Sequence, residues 1–293
     1  MVAGVSLVLR DLKTLYPFKS NYLTVEGRRL HYVDEGAGPV VLMLHGNPTW
    51  SFYYRDLIKG LRDGFRVVAP DHMGCGLSDK PQDYPYTLAT HIANLATLID
   101  HLELADITLA VHDWGGAIGF GWAMQHPQWV RRLVLFNTAA FPGPCPLRIR
   151  MCGWPVFGDV AIRAFNAFAR GAVLTACKKR DRMTPLVKRG YLLPYDNWRT
   201  RIANLRFVQD IPLRSTHPTY PLIKKIEASL TQYRDLPTLI CWGGRDFCFH
   251  DWYLEEWRRR LPGAEVHRFD DAGHYVVEDA HERILPLLEE FLS

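Results

Sequence analysis

The stretch "LAVHDWGGAIGF", residues Leu109–Phe120, joins an apolar strand to a glycine-rich helix through a sharp turn with a charged residue at its apex. This residue, Asp113, suits a helix N-terminus, because its side chain accepts backbone N–H groups and complements the helix dipole. A reactive carboxylate would instead need partner residues from elsewhere in the chain. The surrounding sequence therefore decides between a helix cap and a catalytic residue.

Patterns typical of strands and helices alternate on both sides of this stretch. Continuous apolar runs such as "PVVLMLHG" and "FRVVAPD" are separated by helical runs, as expected for a mostly parallel sheet with helices on both faces. Residues 140–214 have helical patterns, prolines and aromatic residues without a strand pattern. We therefore predict an α/β fold whose core, residues 1–139 and 215–293, is interrupted by a helical cap, residues 140–214.

Composition excludes several classes of protein. The 293 residues are 48% hydrophobic and 23% charged, with a formal net charge of +4, which is ordinary for a globular protein. The basic runs at 178–182 and 258–260 lack a nucleic-acid motif and are interpreted as solvated faces. No apolar run approaches the ~20 residues of a membrane span, and the N terminus lacks signal-peptide features. Six cysteines without zinc spacing indicate reduced thiols in the cytoplasm and no metal.

Four polar residues follow predicted strands. They are Asn47, Asp113, Asp246 and His274, and the carboxyl ends of parallel strands are where open α/β sheets bind ligands. The order Asp113, Asp246, His274 is the nucleophile, acid and base order of an α/β-hydrolase triad, with Asp in place of Ser. Val111 departs from the first small residue of the G-x-S-x-G motif. His45 and His112, which neighbour these motifs, are interpreted as structural.

Several segments carry a resemblance to a known family. The segments "HGNPTWSFYYR", "PDHMGCGLSDKP", "VHDWGGAIGFGWA", "FVQDIPL" and "GHYVVED" resemble the haloalkane dehalogenases of the α/β-hydrolase superfamily, over residues 22–292. The resemblance implies the α/β-hydrolase fold, a small hydrophobic haloalkane and water as substrates, and no cofactor. It also suggests a homo-oligomer formed through the cap.

The resemblance also implies roles for particular residues. In this family the acid follows one of two neighbouring strands; here the first, "VRRLVLFNTA", ends near Asn137, whereas the second is followed by Asp246. Asp246 is therefore the predicted acid. Asn47 and Trp114 correspond to the two side-chain donors that bind the leaving halide.

Elementary chemistry supports these roles. A carboxylate is ionised at neutral pH and can attack an sp³ carbon without a base, while a departing halide needs hydrogen-bond donors and no proton. The alkyl ester formed on Asp113 would be hydrolysed by a water that His274 deprotonates, with Asp246 orienting the imidazole. The backbone N–H groups of Asn47 and Trp114 would bind the oxyanion of this second step.

Three other functions remain open from the sequence. The segments "NTAAFP", "PYDNW" and "FVQDIPL" also resemble β-lactone decarboxylases, in which Asp113 would open a lactone ring before CO₂ and an alkene depart. An epoxide hydrolase would need two cap tyrosines, for which Tyr191 and Tyr195 are candidates, although Asn47 replaces the aromatic residue expected before Pro48. A non-catalytic binding protein would have no chemical need for the Asp113, Asp246 and His274 set.

Overall fold

A mostly parallel eight-stranded sheet forms the centre of the protein. The computed structural model describes residues 12–293, so the predicted start of the core at residues 1–11 lies outside the described residues. The strands in chain order are β1 (Asn21–Val25), β2 (Arg28–Glu35), β3 (Val40–Leu44), β4 (Arg66–Pro70), β5 (Ile107–Asp113), β6 (Val130–Thr138), β7 (Thr238–Gly243) and β8 (Glu265–Phe269). Their spatial order is β1-β2-β4-β3-β5-β6-β7-β8.

Strands β3 to β8 pair in parallel, whereas β2 is antiparallel to both β1 and β4. The predicted α/β-hydrolase fold with a mostly parallel sheet is confirmed. The sequence analysis did not identify β1, a short hairpin strand of mixed exposure whose residues lack a continuous apolar run. Strand β5 is buried along its whole length and lies at the centre of the parallel part of the sheet.

Helices cover both faces of the sheet. They are α1 (Arg55–Leu61), α2 (Leu88–His101), α3 (Trp114–Ala123), α4 (Leu147–Cys152), α5 (Ala167–Thr175), α6 (Pro185–Leu192), α7 (Ile202–Gln209), α8 (Tyr220–Ser229), α9 (Asp251–Arg260) and α10 (Val276–Leu292). Local signals explain several starts: the Thr87 hydroxyl accepts from the Thr90 N–H at α2, and Thr184 precedes Pro185 at α6.

The two faces of the sheet have separate hydrophobic cores. Leu109 and Val111 of β5 belong to the core covered by α2, α3, α8 and α9, whereas Ala110 belongs to the core beneath α1 and α10. This division follows from the strand geometry, because successive side chains point to opposite faces.

Residues 140–214 contain α4 to α7 and a π-helix, Asp159–Ala164, and no strand. A small third core of Ile162, Leu205 and Val208 holds these helices together. They follow β6 and precede α8, which packs on α3. We propose that this segment is the cap over the carboxyl ends of the strands.

Candidate active site

Asp113 ends β5 in a strained conformation. Its φ of +50° and ψ of −123° lie in a region that residues other than glycine rarely adopt, and such strain is common at functional sites. Gly115 allows α3 to start close to β3, because a Cβ atom there would lie 2.1 Å from the carbonyl oxygen of Leu44. The side chain of Asp113 makes no capping hydrogen bond in α3. Helix capping therefore does not explain this residue.

The carboxylate of Asp113 contacts the loop that follows β3. The backbone N–H of Asn47 donates to Oδ1 of Asp113 at 2.7 Å. This approach requires Gly46, since a Cβ atom there would lie 2.0 Å from the same oxygen. The other oxygen, Oδ2, lies 3.7 Å from Nε2 of His274. The two carboxylate oxygens of Asp113 thus have different surroundings, one bound to backbone and one facing an imidazole.

His274 also contacts the predicted acid. Its Nδ1–H donates to Oδ2 of Asp246 at 2.8 Å, and the other oxygen of Asp246 accepts from the backbone N–H of Cys248 at 2.6 Å. Asn137 at the end of β6 exchanges two hydrogen bonds with Gly243, accepting from its N–H at 2.7 Å and donating to its carbonyl at 3.1 Å. Asn137 thereby fixes the end of β7, from which the chain leads to Asp246.

Burial and charge act in opposite directions on the pKa values of His274 and Asp113. Burial disfavours the imidazolium form of His274, but the charge of Asp246, its hydrogen bond and the charge of Asp113 outweigh this effect and raise the pKa of His274. Burial raises the pKa of Asp113, while His274 and the backbone N–H groups of Asn47 and Trp114 limit the rise. The imidazolium form of His274 is thus favoured relative to a free histidine, whereas the carboxylate form of Asp113 is disfavoured relative to a free aspartate.

The two predicted donors, Asn47 and Trp114, line the same cavity as Asp113, and both contact α7. The Nδ2 atom of Asn47 donates one hydrogen bond to the carbonyl oxygen of Asn204 at 3.1 Å, which leaves its second N–H available. The ring of Trp114 packs against Phe207, with centroids 5.3 Å apart. Within residues 12–293, the indole N–H of Trp114 has no hydrogen-bond acceptor. Both side chains line the same cavity as Asp113.

This cavity has a volume of about 320 Å³. Asn47, Asp113, Trp114 and His274 contribute to its lining on the core side. The remaining lining is mainly apolar and includes Leu88, Phe141, Ile149, Phe168, Ile211 and Phe249. A small set of convergent polar groups in an apolar cavity is typical of a site for a hydrophobic small molecule.

Sequence reasoning missed the contacts that α7 makes with the site and the particular partner of His112. Asn204 acts through its backbone carbonyl, for which no sequence pattern exists. His112 was interpreted as structural, and it is fully buried, but its Nε2–H donates to the carbonyl oxygen of His274 at 2.9 Å. Its position beside Asp113 on β5 was the available signal. His112 thus links strand β5, which ends at Asp113, to the loop that carries His274.

The cap tyrosines are engaged away from the cavity. The hydroxyl of Tyr191 donates to Glu278 at 2.7 Å, and that of Tyr195 contacts the carbonyl oxygen of Thr49 at 3.3 Å. Both side chains are buried, and neither lines the described cavity. They are not placed to protonate an alkoxide beside Asp113, which removes the structural basis of the epoxide hydrolase hypothesis.

Residues 12–293 show neither a metal-binding cluster nor a membrane-spanning helix. This part of the chain has no cluster of His, Cys, Asp and Glu suited to a metal ion. None of its helices has the length and apolar character needed to cross a bilayer. All six cysteines are free thiols, and the predicted cytoplasmic location stays a prediction.

The fold and the site define a class of protein. A family model described as the alpha/beta hydrolase fold matches residues 39–280, and the chain belongs to this family. A solved structure of the haloalkane dehalogenase DbeA from Bradyrhizobium elkani superimposes with a TM-score of 0.85 at 25% identity, covering 94% of this chain and 98% of that one.

Relatives narrow the class to one branch of the family. The chain is 46% identical to a cis-3-alkyl-4-alkyloxetan-2-one decarboxylase from Shewanella oneidensis over 96% of this chain and 91% of the relative. It is 47% identical to a decarboxylase of the same name from Xanthomonas campestris over 95% and 97% of the two chains. Haloalkane dehalogenase 2 from Mycobacterium bovis is 33% identical over 94% and 96%. The predicted resemblance to this branch is confirmed, and the protein is an enzyme of the α/β-hydrolase superfamily.

Proposed function

We propose that this enzyme converts cis-3-alkyl-4-alkyl β-lactones, which are four-membered cyclic esters, into alkenes and CO₂. The observation that carries this proposal is the identity of 46% and 47%, over nearly full length, to two proteins named for that activity. The dehalogenase relative is 33% identical over a similar length. The sequence analysis favoured dehalogenation, and these identities support its alternative better.

The first step is attack of the Asp113 carboxylate on the ring carbon C4. The C4–O1 bond breaks as the new C4–O bond forms, which leaves an ester on Asp113 and a carboxylate on C3. This new anion needs hydrogen-bond donors in a dry cavity. The free N–H of Asn47 and the indole N–H of Trp114 supply them, in the place where a dehalogenase would bind halide.

The second step releases both products. The bond between C3 and the carboxylate breaks, its electron pair forms the C3=C4 double bond, and the C4–O bond to Asp113 breaks. CO₂ leaves and the Asp113 carboxylate is restored. Because attack inverts C4 and elimination requires an antiperiplanar arrangement, a cis lactone gives a cis alkene.

His274 contributes charge in this reaction. Its raised pKa favours the imidazolium, whose Nε2 lies 3.7 Å from Oδ2 of Asp113 and stabilises the carboxylate as it departs from C4. The reaction consumes no water. Dehalogenation, in contrast, requires neutral His274 as a base and one water molecule for each turnover.

Product analysis with matched substrates tests the proposal. A cis-3,4-dialkyl oxetan-2-one and a terminal bromoalkane of equal chain length are incubated separately with the enzyme in H₂¹⁸O. We expect rapid formation of cis alkene and no ¹⁸O in the Asp113 peptide, because water never attacks its ester. Bromide release with ¹⁸O in that peptide, and no alkene from the lactone, would overturn the proposal.

Haloalkane dehalogenation is the second candidate. The pair of donors beside a carboxylate nucleophile favours it, as does the likeness to a solved dehalogenase. In that reaction His274 activates the water that cleaves the alkyl ester. Steady bromide release at a rate comparable with alkene formation would assign both activities to the same site.

A further inference from the structure

The cap carries a concentration of exposed apolar side chains. Seven large hydrophobic residues of the segment 147–174 are exposed, among them Trp154 at 52%, Val156 at 75%, Phe157 at 45% and Phe165 at 67%. We name this segment the cap face. Exposed apolar groups concentrated in one segment commonly mark an interaction surface.

Backbone hydrogen bonds order the turn that carries part of this apolar surface. Hydrogen bonds from Gly158 to Trp154 at 2.8 Å and from Val160 to Val156 at 2.9 Å close the turn between α4 and the π-helix. Val156 has a φ of +64°, which is strained for a β-branched residue. The exposed side chains therefore belong to an ordered, hydrogen-bonded turn.

The same segment also carries an excess of positive charge. The cap face contains four arginines, Arg148, Arg150, Arg163 and Arg170, and a single carboxylate, Asp159, which pairs with Arg163 at 3.4 Å. Within residues 12–293, the other three guanidinium groups have no carboxylate partner. All three belong to exposed residues. An apolar surface with unpaired arginines complements an anionic surface that also accepts apolar side chains.

The cap face is continuous with the cavity. Helices α4 and α5 contribute Arg148, Ile149, Phe168 and Ala172 to the cavity lining, while their neighbours Leu147 and Leu174 are exposed. The two helices that contact the cavity thus also carry two of the exposed apolar residues, and the segment between them carries the other five.

We propose that the cap face binds reversibly to an anionic lipid bilayer, with Trp154, Val156 and Phe157 at the acyl boundary and with Arg150 and Arg170 at the headgroups. This arrangement follows the physics of interfacial binding, in which apolar burial and attraction to anionic lipids act together. A second copy of the chain fits the face less well. A two-fold interface places the same surface on both partners, so the unpaired arginines would face one another. The proposal holds for either candidate reaction.

Sedimentation with sucrose-loaded vesicles tests the proposal on the whole protein. Vesicles of phosphatidylcholine alone are compared with equal parts of phosphatidylcholine and phosphatidylglycerol. We expect the enzyme to bind the anionic vesicles at least tenfold more tightly, and to release them as salt screens the charges. Equal binding to both compositions, or binding to neither, would overturn the proposal.

Paired variants locate the contact. Arg150→Gln with Arg170→Gln should weaken binding about 25-fold, at about fivefold for each arginine near an anionic surface. Arg131→Gln with Arg258→Gln removes the same charge away from the cap face and should change binding less than twofold. Trp154→Ser with Phe157→Ser should also weaken binding, whereas Trp252→Ser, another exposed tryptophan, should not.

The residues changed in the cap-face variants do not line the cavity: Trp154, Phe157, Arg150 and Arg170. Turnover of a dispersed substrate should therefore be unchanged in these variants. Equal loss of binding in cap-face variants and their controls would show that the contact lies elsewhere. Light scattering in the absence of lipid tests whether a second copy of the chain binds the cap face instead of a bilayer. If the wild type is oligomeric and Trp154→Ser with Phe157→Ser makes it monomeric, the face binds a second copy and the proposal is wrong.

Discussion

The two sides of the cavity differ in how their residues are held. On the core side, Asp113, Asp246 and His274 are fixed by hydrogen bonds of 2.6–2.8 Å to backbone or to each other. On the cap side, the lining is mainly apolar and is held by packing, as with Ile149 and Phe168 against the third core. Reaction chemistry needs atoms placed to within fractions of an ångström, whereas selection of alkyl chains needs volume. We therefore expect the core side to determine the reaction and the cap side to determine which substrate sizes fit.

Removing Asp113, the proposed nucleophile, should reduce turnover the most. Asp113→Ala leaves no oxygen to form the ester with C4, so turnover of a β-lactone should fall about 10⁴-fold or more. The same variant should fail to release bromide from a bromoalkane. Alkene formation is measured by gas chromatography. Residual turnover above one hundredth of the wild-type rate, in a variant with native circular dichroism, would place the reaction elsewhere.

Removing one of the two predicted donors should reduce turnover less than removing Asp113. Asn47→Ala and Trp114→Phe should each lower turnover about 10²-fold, as loss of an oxyanion-type donor commonly does. Trp50→Phe is a matched control, since the indole of Trp50 donates to the Gly190 carbonyl at 3.1 Å, outside the cavity. It should reduce the free energy of unfolding by about 1 kcal/mol with turnover unchanged. Equal losses of turnover in Trp114→Phe and Trp50→Phe would contradict the donor role.

The pH dependence of turnover should distinguish the role of His274 as an imidazolium from its role as a base. We expect turnover to change about tenfold with pH. The neighbouring carboxylates raise the pKa of His274, so its imidazolium is present at low pH and is lost as pH rises through that pKa. Decarboxylation should therefore decline on the alkaline side. Asp246→Asn removes the nearer negative charge and should move this decline to lower pH. If turnover instead declined at acid pH, and Asp246→Asn shifted that decline, His274 would act as a base.

Substitutions in the cap should have the smallest effects on turnover. Phe168→Ala enlarges the cavity and should change kcat/KM less than tenfold, with longer alkyl chains favoured over shorter ones. Phe165→Ala, on the exposed side of the same region, is the matched control and should leave chain-length preference unchanged. Competition between lactones of different chain length measures the preference. The same shift in both variants would show that cap packing, and not cavity volume, controls selection.

Much of the fold and the candidate site could be predicted because the signals were local. The continuous apolar run of β5 and the glycines after Asp113 indicated a strand, a sharp turn and a closely packed helix. Asn47, Asp246 and His274 follow strands, and parallel topology brings such positions to one edge. Strand β1 was missed because its mixed exposure gives no continuous apolar pattern.

The sequence by itself determined an α/β fold with a mostly parallel sheet, through its hydrophobic periodicity, and the chain order of the polar residues that follow the strands. The α/β-hydrolase fold in particular was implied by the resemblance of its motifs to a known family. Only the tertiary structure decided which donors are free and which are engaged. Asn47 meets the Asn204 carbonyl across 157 positions of sequence, and Tyr191 meets Glu278 across 87. Such contacts depend on how distant segments pack, and no local pattern encodes them. The exposure of Trp154 has the same origin, because burial is a property of the assembled cap and not of the residue.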